Sequence, residues 1–106
     1  MGVLIKVADK KDIPEGRAIV VTVNGKPVAL FNINGQYYAI DDTCTHEGGP
    51  LSEGNVEGTK VTCPWHGAEF NLTNGEVLGE ALGEPLPNNV QSYKVYIEGE
   101  EIKIEA

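Results

Sequence analysis

The chain holds two cysteines and two histidines, and all four fall in two short loops framed by glycine and proline. The first loop is Cys44-Thr45-His46-Glu47-Gly48-Gly49-Pro50 and the second is Cys63-Pro64-Trp65-His66-Gly67-Ala68, with sixteen residues between His46 and Cys63. Each loop offers one thiol and one imidazole, soft to borderline ligands suited to zinc, iron or copper. Taken singly, a cysteine is most often a small buried hydrophobe and a histidine a structural or surface residue. Four together at this spacing point to a metal. Structural zinc sites usually pair Cys with Cys and His with His, whereas each loop here mixes the two. A two-iron cluster accounts for the mixing, because each loop can send its Cys to one iron and its His to the other. A zinc-stabilised binding module is the alternative.

The pattern C-T-H-x16-C-P-W-H-G resembles the Rieske [2Fe–2S] motif, in which two Cys hold one iron and two His hold the other. The motif runs from Cys44 to Gly67, 24 residues, and the length and strand pattern extend the resemblance over the whole chain. It implies one [2Fe–2S] cluster per chain, with Cys44 and Cys63 on the inner iron and His46 and His66 on the outer, solvent-facing iron. Two ferric ions, two sulfides, two thiolates and two neutral imidazoles sum to an uncharged oxidised core; four thiolates would make it dianionic. An electron enters an uncharged site more easily, so histidine ligation raises the reduction potential. Ferric iron also acidifies a bound imidazole, so the potential should fall as pH rises into the alkaline range. Gly48, Gly49 and Gly67 suit close approach of the backbone, with N–H groups pointing at the sulfurs; plain turn chemistry explains them as well.

The remaining sequence must position these loops. At 106 residues with 41% hydrophobic residues, the chain is expected to be one domain spanning 1–106 with a modest core that bound metal helps to stabilise. Sixteen acidic against eight basic side chains give a net charge of −8, which argues against nucleic acid or an anionic membrane as partner. It suits brief docking on basic patches of other proteins, or merely keeps a small protein soluble. The start Met1-Gly2-Val3-Leu4-Ile5-Lys6 is too short an apolar run for a signal peptide or a membrane span. The expected location is therefore the cytoplasm. Asn71-Leu72-Thr73 matches a glycosylation sequon that such a location leaves unused.

Strands are expected over Val3–Val7, Arg17–Val23, Lys26–Ile33 and Gln36–Asp41, read as one antiparallel meander. Asn24-Gly25 and Asn34-Gly35 form its hairpin turns, because both centre positions tolerate positive φ. From Asp42 to about Leu82 the glycines cluster and the strands shorten, marking a cluster-binding subdomain, about 42–82, inserted into a β sandwich. Within it Gly58–Thr62 leads into the second loop, and Glu69–Leu72, Asn74-Gly75 and Glu76–Leu78 form a hairpin after it. Gly83-Glu84-Pro85-Leu86-Pro87 is a stiff loop. The resemblance casts Pro85 or Pro87 as the proline that covers the cluster; a surface connector is the plainer reading. Val90–Ile97, a turn at Glu98-Gly99 and Glu101–Glu105 close the sheet. No stretch keeps a helical period, so the fold class is all-β: a Rieske fold, an antiparallel β sandwich with a small inserted subdomain.

Respiratory-complex members of the Rieske family carry a disulfide bracing the loops, and the matching positions here are Gly49 and Trp65. They also carry Ser and Tyr hydroxyls bonded to the cluster sulfurs, where this chain has Ala68 and Phe70. A hydrogen bond to a charged group contributes roughly 1.5–3 kcal/mol, so each missing hydroxyl lowers the potential by up to roughly 65–130 mV. The expected potential lies at the low end of the Rieske range, on the order of −150 mV.

The chain shows neither a spare histidine for a second, mononuclear iron site nor a G-x-G-x-x-G nucleotide fingerprint. It resembles a free Rieske ferredoxin rather than an enzyme. The resemblance implies a one-electron shuttle from a flavin-dependent ferredoxin reductase to a terminal ring-hydroxylating dioxygenase of aromatic catabolism, with no small-molecule substrate of its own. A small Rieske subunit permanently bound to a reductase or oxidase complex is the alternative, and would need a large apolar patch that the sequence does not display. Gly48, Gly49, Pro50 and Leu51 on one side, with Pro64, Trp65 and Gly67 on the other, are expected to ring exposed His46 and His66 as a docking patch. Trp65 is either a partner contact or a plug in the loop's own core.

Overall fold

The structure, a computed structural model, describes residues 3–43, 50–64, 67–79 and 89–105. Among them lie eleven strands and two single-turn 3-10 helices, Lys10–Asp12 and Leu51–Glu53. The strands are β1 (Leu4–Asp9), β2 (Ala18–Val23), β3 (Lys26–Ile33), β4 (Gln36–Asp41), β5 (Asn55–Glu57), β6 (Lys60–Thr62), β7 (Glu69–Asn71), β8 (Val77–Gly79), β9 (Ser92–Tyr93), β10 (Val95–Glu98) and β11 (Glu101–Glu105). They pair antiparallel in three sheets, ordered β1-β11-β10, β2-β3-β4-β9 and β5-β6-β7-β8.

The middle sheet is built on the two Asn-Gly turns. Asn24 and Gly25 have φ of 51° and 80°, and Asn34 and Gly35 have 54° and 84°. Both centre residues are left-handed, as a two-residue hairpin turn that matches strand twist requires. The turns set the register Val23↔Lys26 through Ala18↔Phe31, and Ile33↔Gln36 through Val28↔Asp41.

Strand β3 lies between two cores, so Val28, Ala29, Leu30, Phe31 and Asn32 are all buried. Successive side chains point to opposite faces. Val28 and Leu30 pack with Ala8, Ile13, Val23, Ala39, Ile102 and Ile104, the core between the middle sheet and β1-β11-β10. Ala29 and Phe31 pack with Ile40, Leu51, Val61, Cys63, Ala68, Phe70, Leu72 and Val90, the core beneath β5–β8. Full burial of a side chain such as Phe31 or Phe70 stabilises by about 1.5–3 kcal/mol. Asn32 is the polar residue inside this strand. Its Nδ2 donates to the Ile13 carbonyl at 2.7 Å and its Oδ1 accepts from the Gly35 N–H at 3.0 Å, so its burial leaves no group unpaired.

Three local expectations are corrected. Strand β1 does not join the meander; it pairs with β11 from Leu4↔Glu105 to Asp9↔Glu101, in the other sheet of the sandwich. Val90–Ile97 is not one strand. It breaks at Lys94: β9 pairs with β4 and β10 with β11, so the chain crosses between sheets and closes a corner of the sandwich. The last turn falls at Gly99-Glu100, with Gly99 at φ 62°. Strand β5 was not anticipated. The outer face of β1-β11-β10 carries Lys6 within 3.3 Å of Asp9 and 3.5 Å of Glu101, and Lys103 2.8 Å from Glu98. Both lysine pKa values are raised, Lys6 chiefly by its hydrogen bond to Asp9 and Lys103 by that to Glu98. Solvent-exposed pairs of this kind decide little of the stability.

Candidate metal centre

The two ligand loops hang from neighbouring elements. The first leaves the end of β4 and returns at Pro50, and a bridge between Thr43 and Pro50 closes its neck. Asp42, 8% exposed, anchors both sides of that neck. Its N–H donates to the Pro27 carbonyl at 3.1 Å, and its carbonyl accepts the Leu51 N–H at 2.6 Å. Its Oδ1 accepts the Ser52 N–H at 2.8 Å. Leu51 is thereby drawn into the core and is fully buried.

The second loop is the hairpin connection from β6 to β7. The Cys63 N–H donates to the Ala68 carbonyl at 2.7 Å, and the Gly67 N–H donates to the Cys63 carbonyl at 3.1 Å. Gly67 sits at φ 78°, a left-handed conformation that disfavours any residue with a Cβ. Its N–H, expected to face a cluster sulfur, is instead spent on closing this turn.

Of the four sequence-identified ligands, Cys63 is described: 2% exposed, a free thiol, in one core with Leu51, Val61, Ala68 and Phe70. Leu51 anchors the first loop and Cys63 begins the second, so the roots of both loops share one core. Cys44, His46 and His66 lie outside the described residues, as do Gly48, Gly49, Trp65, Pro85 and Pro87. The expected docking ring is corrected at Leu51, which is buried rather than displayed; Pro64 is exposed and Pro50 and Gly67 are half-buried. Ala68 and Phe70, the positions without hydroxyls, are both fully buried beside Cys63.

The fit to a sulfur-rich metal group rests on Cys63. A buried cysteine in apolar company offers a soft donor to a metal, and an uncharged oxidised core suits such surroundings better than a dianionic one. Among the described residues, no second cysteine stands by to form a disulfide.

A family model described as the Rieske [2Fe-2S] domain matches residues 3–94. The chain belongs to the Rieske [2Fe-2S] domain family. The [2Fe–2S] cluster is therefore its cofactor. The ferredoxin component of a naphthalene 1,2-dioxygenase system from Pseudomonas aeruginosa is 39% identical over 89% of this chain and 86% of its own. A 3-phenylpropionate/cinnamic acid dioxygenase ferredoxin subunit from Shigella boydii is 39% identical over 89% of this chain and 85% of its own. Among solved structures, a complex of reduced oxygenase and oxidized ferredoxin in carbazole 1,9a-dioxygenase aligns at TM-score 0.84 and 30% identity, over 96% of this chain and 92% of that one. The ferredoxin of carbazole 1,9a-dioxygenase from Nocardioides aromaticivorans IC177 aligns at 0.83 and 27% identity, over 96% of both chains. The all-β Rieske fold is thus shown.

Two positions escaped the sequence reading. Asp42, read only as the start of the region at about 42–82, is one: a short acidic side chain at the end of a strand suits bonds to nearby backbone N–H groups. Gly75, read as a plain turn residue, is the other: any Cβ there would run into the Val90 carbonyl oxygen.

Proposed function

We propose that this Rieske protein is a ferredoxin that carries one electron at a time from a flavin-dependent ferredoxin reductase to a terminal ring-hydroxylating oxygenase acting on aromatic compounds in the cytoplasm. It is an electron-transfer component, not an enzyme. Cys44 and Cys63 would hold the inner iron and His46 and His66 the outer one, in a single domain spanning 1–106 with its cluster-binding subdomain at about 42–82. The bound cluster supplies a one-electron couple.

The observation that carries this reading is the buried Cys63 thiol packed in one core with Leu51, the anchor of the other ligand loop. The chain's own residues do the rest. Asp42 closes the first loop, the Gly67 turn closes the second, and the Phe70 and Val61 side chains keep water from the Cys63 sulfur. The likeness to dioxygenase ferredoxins over nearly the whole of their length supports the carrier role.

Transient docking is supported by the surface. Among the described residues the exposed large hydrophobics are Leu4 in β1, Val20 in β2, Leu78 in β8, Tyr96 and Ile97 in β10, and Val3 just before β1. No helix among them is long and apolar enough to cross a membrane. A net charge of −8 favours fast, salt-sensitive encounters with basic surfaces.

The test is anaerobic stopped-flow mixing of the reduced protein with an aromatic-ring oxygenase. Rapid reoxidation that slows as ionic strength rises supports the carrier role. No electron transfer to an oxygenase, together with co-purification in a stable complex with another redox protein, would overturn it.

A further inference from the structure

A five-residue stretch outside the ligand motifs ties the strand that feeds the first ligand loop to the hairpin that follows the second. Residues 89–93 follow the proline-bearing segment and carry no metal-ligating side chain. At one end they grip the strand that feeds the first loop. The Asp41 N–H donates to the Gln91 carbonyl at 2.9 Å, and the Gln91 N–H returns a bond to Asp41 Oδ2 at 3.3 Å. The Tyr93 hydroxyl donates to Asp41 Oδ1 at 2.6 Å. Asp41 ends β4, three residues before Cys44.

At the other end they grip the hairpin that follows the second loop. The Val77 N–H donates to Asn89 Oδ1 at 2.9 Å, and the Val90 N–H donates to the Gly75 carbonyl at 2.9 Å. Gly75 has φ 78°, and a Cβ there would run into the Val90 carbonyl oxygen. The Gly75 N–H in turn donates to the carbonyl of Asn71, the last residue of β7. Between the two ends, Val90 is 4% exposed and packs in the core that holds Cys63.

We propose that Asn89–Tyr93 is a positioning strut, which fixes the Asp41 end of the first ligand loop against the β7–β8 hairpin behind the second. The role rests on the reading above, in which each loop contributes one ligand to each iron. A cluster gripped that way is strained at both irons if one loop shifts against the other. Secondary structure does not prevent such a shift, because β4 and β7 belong to different sheets. The strut's bonds reach both. The Tyr93 proton is firmly held: desolvation first, then the Asp41 hydrogen bond, raise its pKa far above the ordinary phenol value. Asn89 and Tyr93 touch no reacting atom and act through the loops they hold.

The test compares cluster release with global stability in the purified holoprotein. Asn89→Ala removes the acceptor for the Val77 N–H, Asn89→Asp keeps it, and Tyr93→Phe removes the donor to Asp41. Val23→Ala, in the other core, is the control for lost stability. Iron release from the reduced protein to a ferrous chelator is followed by colour, and Val77 amide exchange by NMR.

Loss of one such hydrogen bond should speed release about threefold to tenfold in Asn89→Ala and Tyr93→Phe. Asn89→Asp should stay near wild type, and Val77 should lose exchange protection in Asn89→Ala alone. Val23→Ala should lower the melting temperature without comparable quickening. If Asn89→Ala does not fold, Tyr93→Phe carries the same expectation. Release at the wild-type rate in both variants, or equal quickening in Val23→Ala at a matched fall in melting temperature, overturns the strut and leaves the cluster reading intact. A wild-type protein without iron and sulfide overturns both.

Discussion

Strands β2, β3 and β4 run six, eight and six residues, whereas β5, β6, β7 and β8 run three each. The first group is joined by two-residue turns, and its central strand β3 is covered on both faces. The second has too few ladder bonds to stand alone; small sheets are at best marginal in water without packing beneath them. Its support is the core it shares with the middle sheet through Ala29, Phe31 and Ile40, with Leu51 of the 3-10 helix beside them. The difference separates two tasks. The sandwich supplies stability; the short-stranded region borrows it through their shared core and carries Cys63 directly after β6.

Breaking the comparison at its most sensitive point means removing the sulfur. In Cys63→Ser, iron and inorganic sulfide should fall to near zero by chemical analysis. Amide protection should vanish over β5–β8 while persisting over β2–β4, because metal binding contributes folding energy to the region it ties. Chelation of the cluster from the wild type should give the same pattern.

Next come the two cores. Phe70→Ala should cost about 3–5 kcal/mol and Ile104→Ala about 2–5 kcal/mol, measured by denaturant unfolding. Their signatures should differ. Phe70→Ala should bleach the visible spectrum below its unfolding transition, whereas Ile104→Ala should keep the spectrum up to the transition itself.

A subtler change sharpens the account of the site. Ala68→Ser combined with Phe70→Tyr should raise the reduction potential, by up to roughly 65–130 mV per hydroxyl, because hydrogen bonds to the sulfurs favour the more negative reduced state. Voltammetry that shows no change would break that argument.

The smallest effect concerns pH. The folded-state pKa of Tyr93 is raised above the unfolded value, so its contribution is fully present below pH about 10 and is lost as pH climbs through the folded value. Unfolding stability should therefore decline above pH about 10 in the wild type, and less steeply in Tyr93→Phe.

The parts legible in the sequence were those written locally. Asn24-Gly25 and Asn34-Gly35 announced their hairpins, and Lys26–Ile33 and Gln36–Asp41 were delimited to the residue because turns bound them. What stayed hidden was non-local or conditional. Nothing near Leu4 tells that its partner is Glu105, since chain-end pairing leaves no local mark. Val90–Ile97 reads as one strand because no Gly or Pro flags the crossing at Lys94. Asn55–Glu57 carries one apolar residue in three and becomes a strand because β6 lies beside it. Leu51 looked like part of an exposed rim, but the Asp42 bonds to the backbone of residues 51 and 52 turn it inward.

A [2Fe–2S] cluster held by mixed thiolate and imidazole ligands is most directly tested by the electron paramagnetic resonance spectrum of the dithionite-reduced protein. A brown protein is expected, with a reduced spectrum of lower average g-value than an all-thiolate cluster gives. A colourless, resonance-silent protein that yields zinc on metal analysis would contradict it.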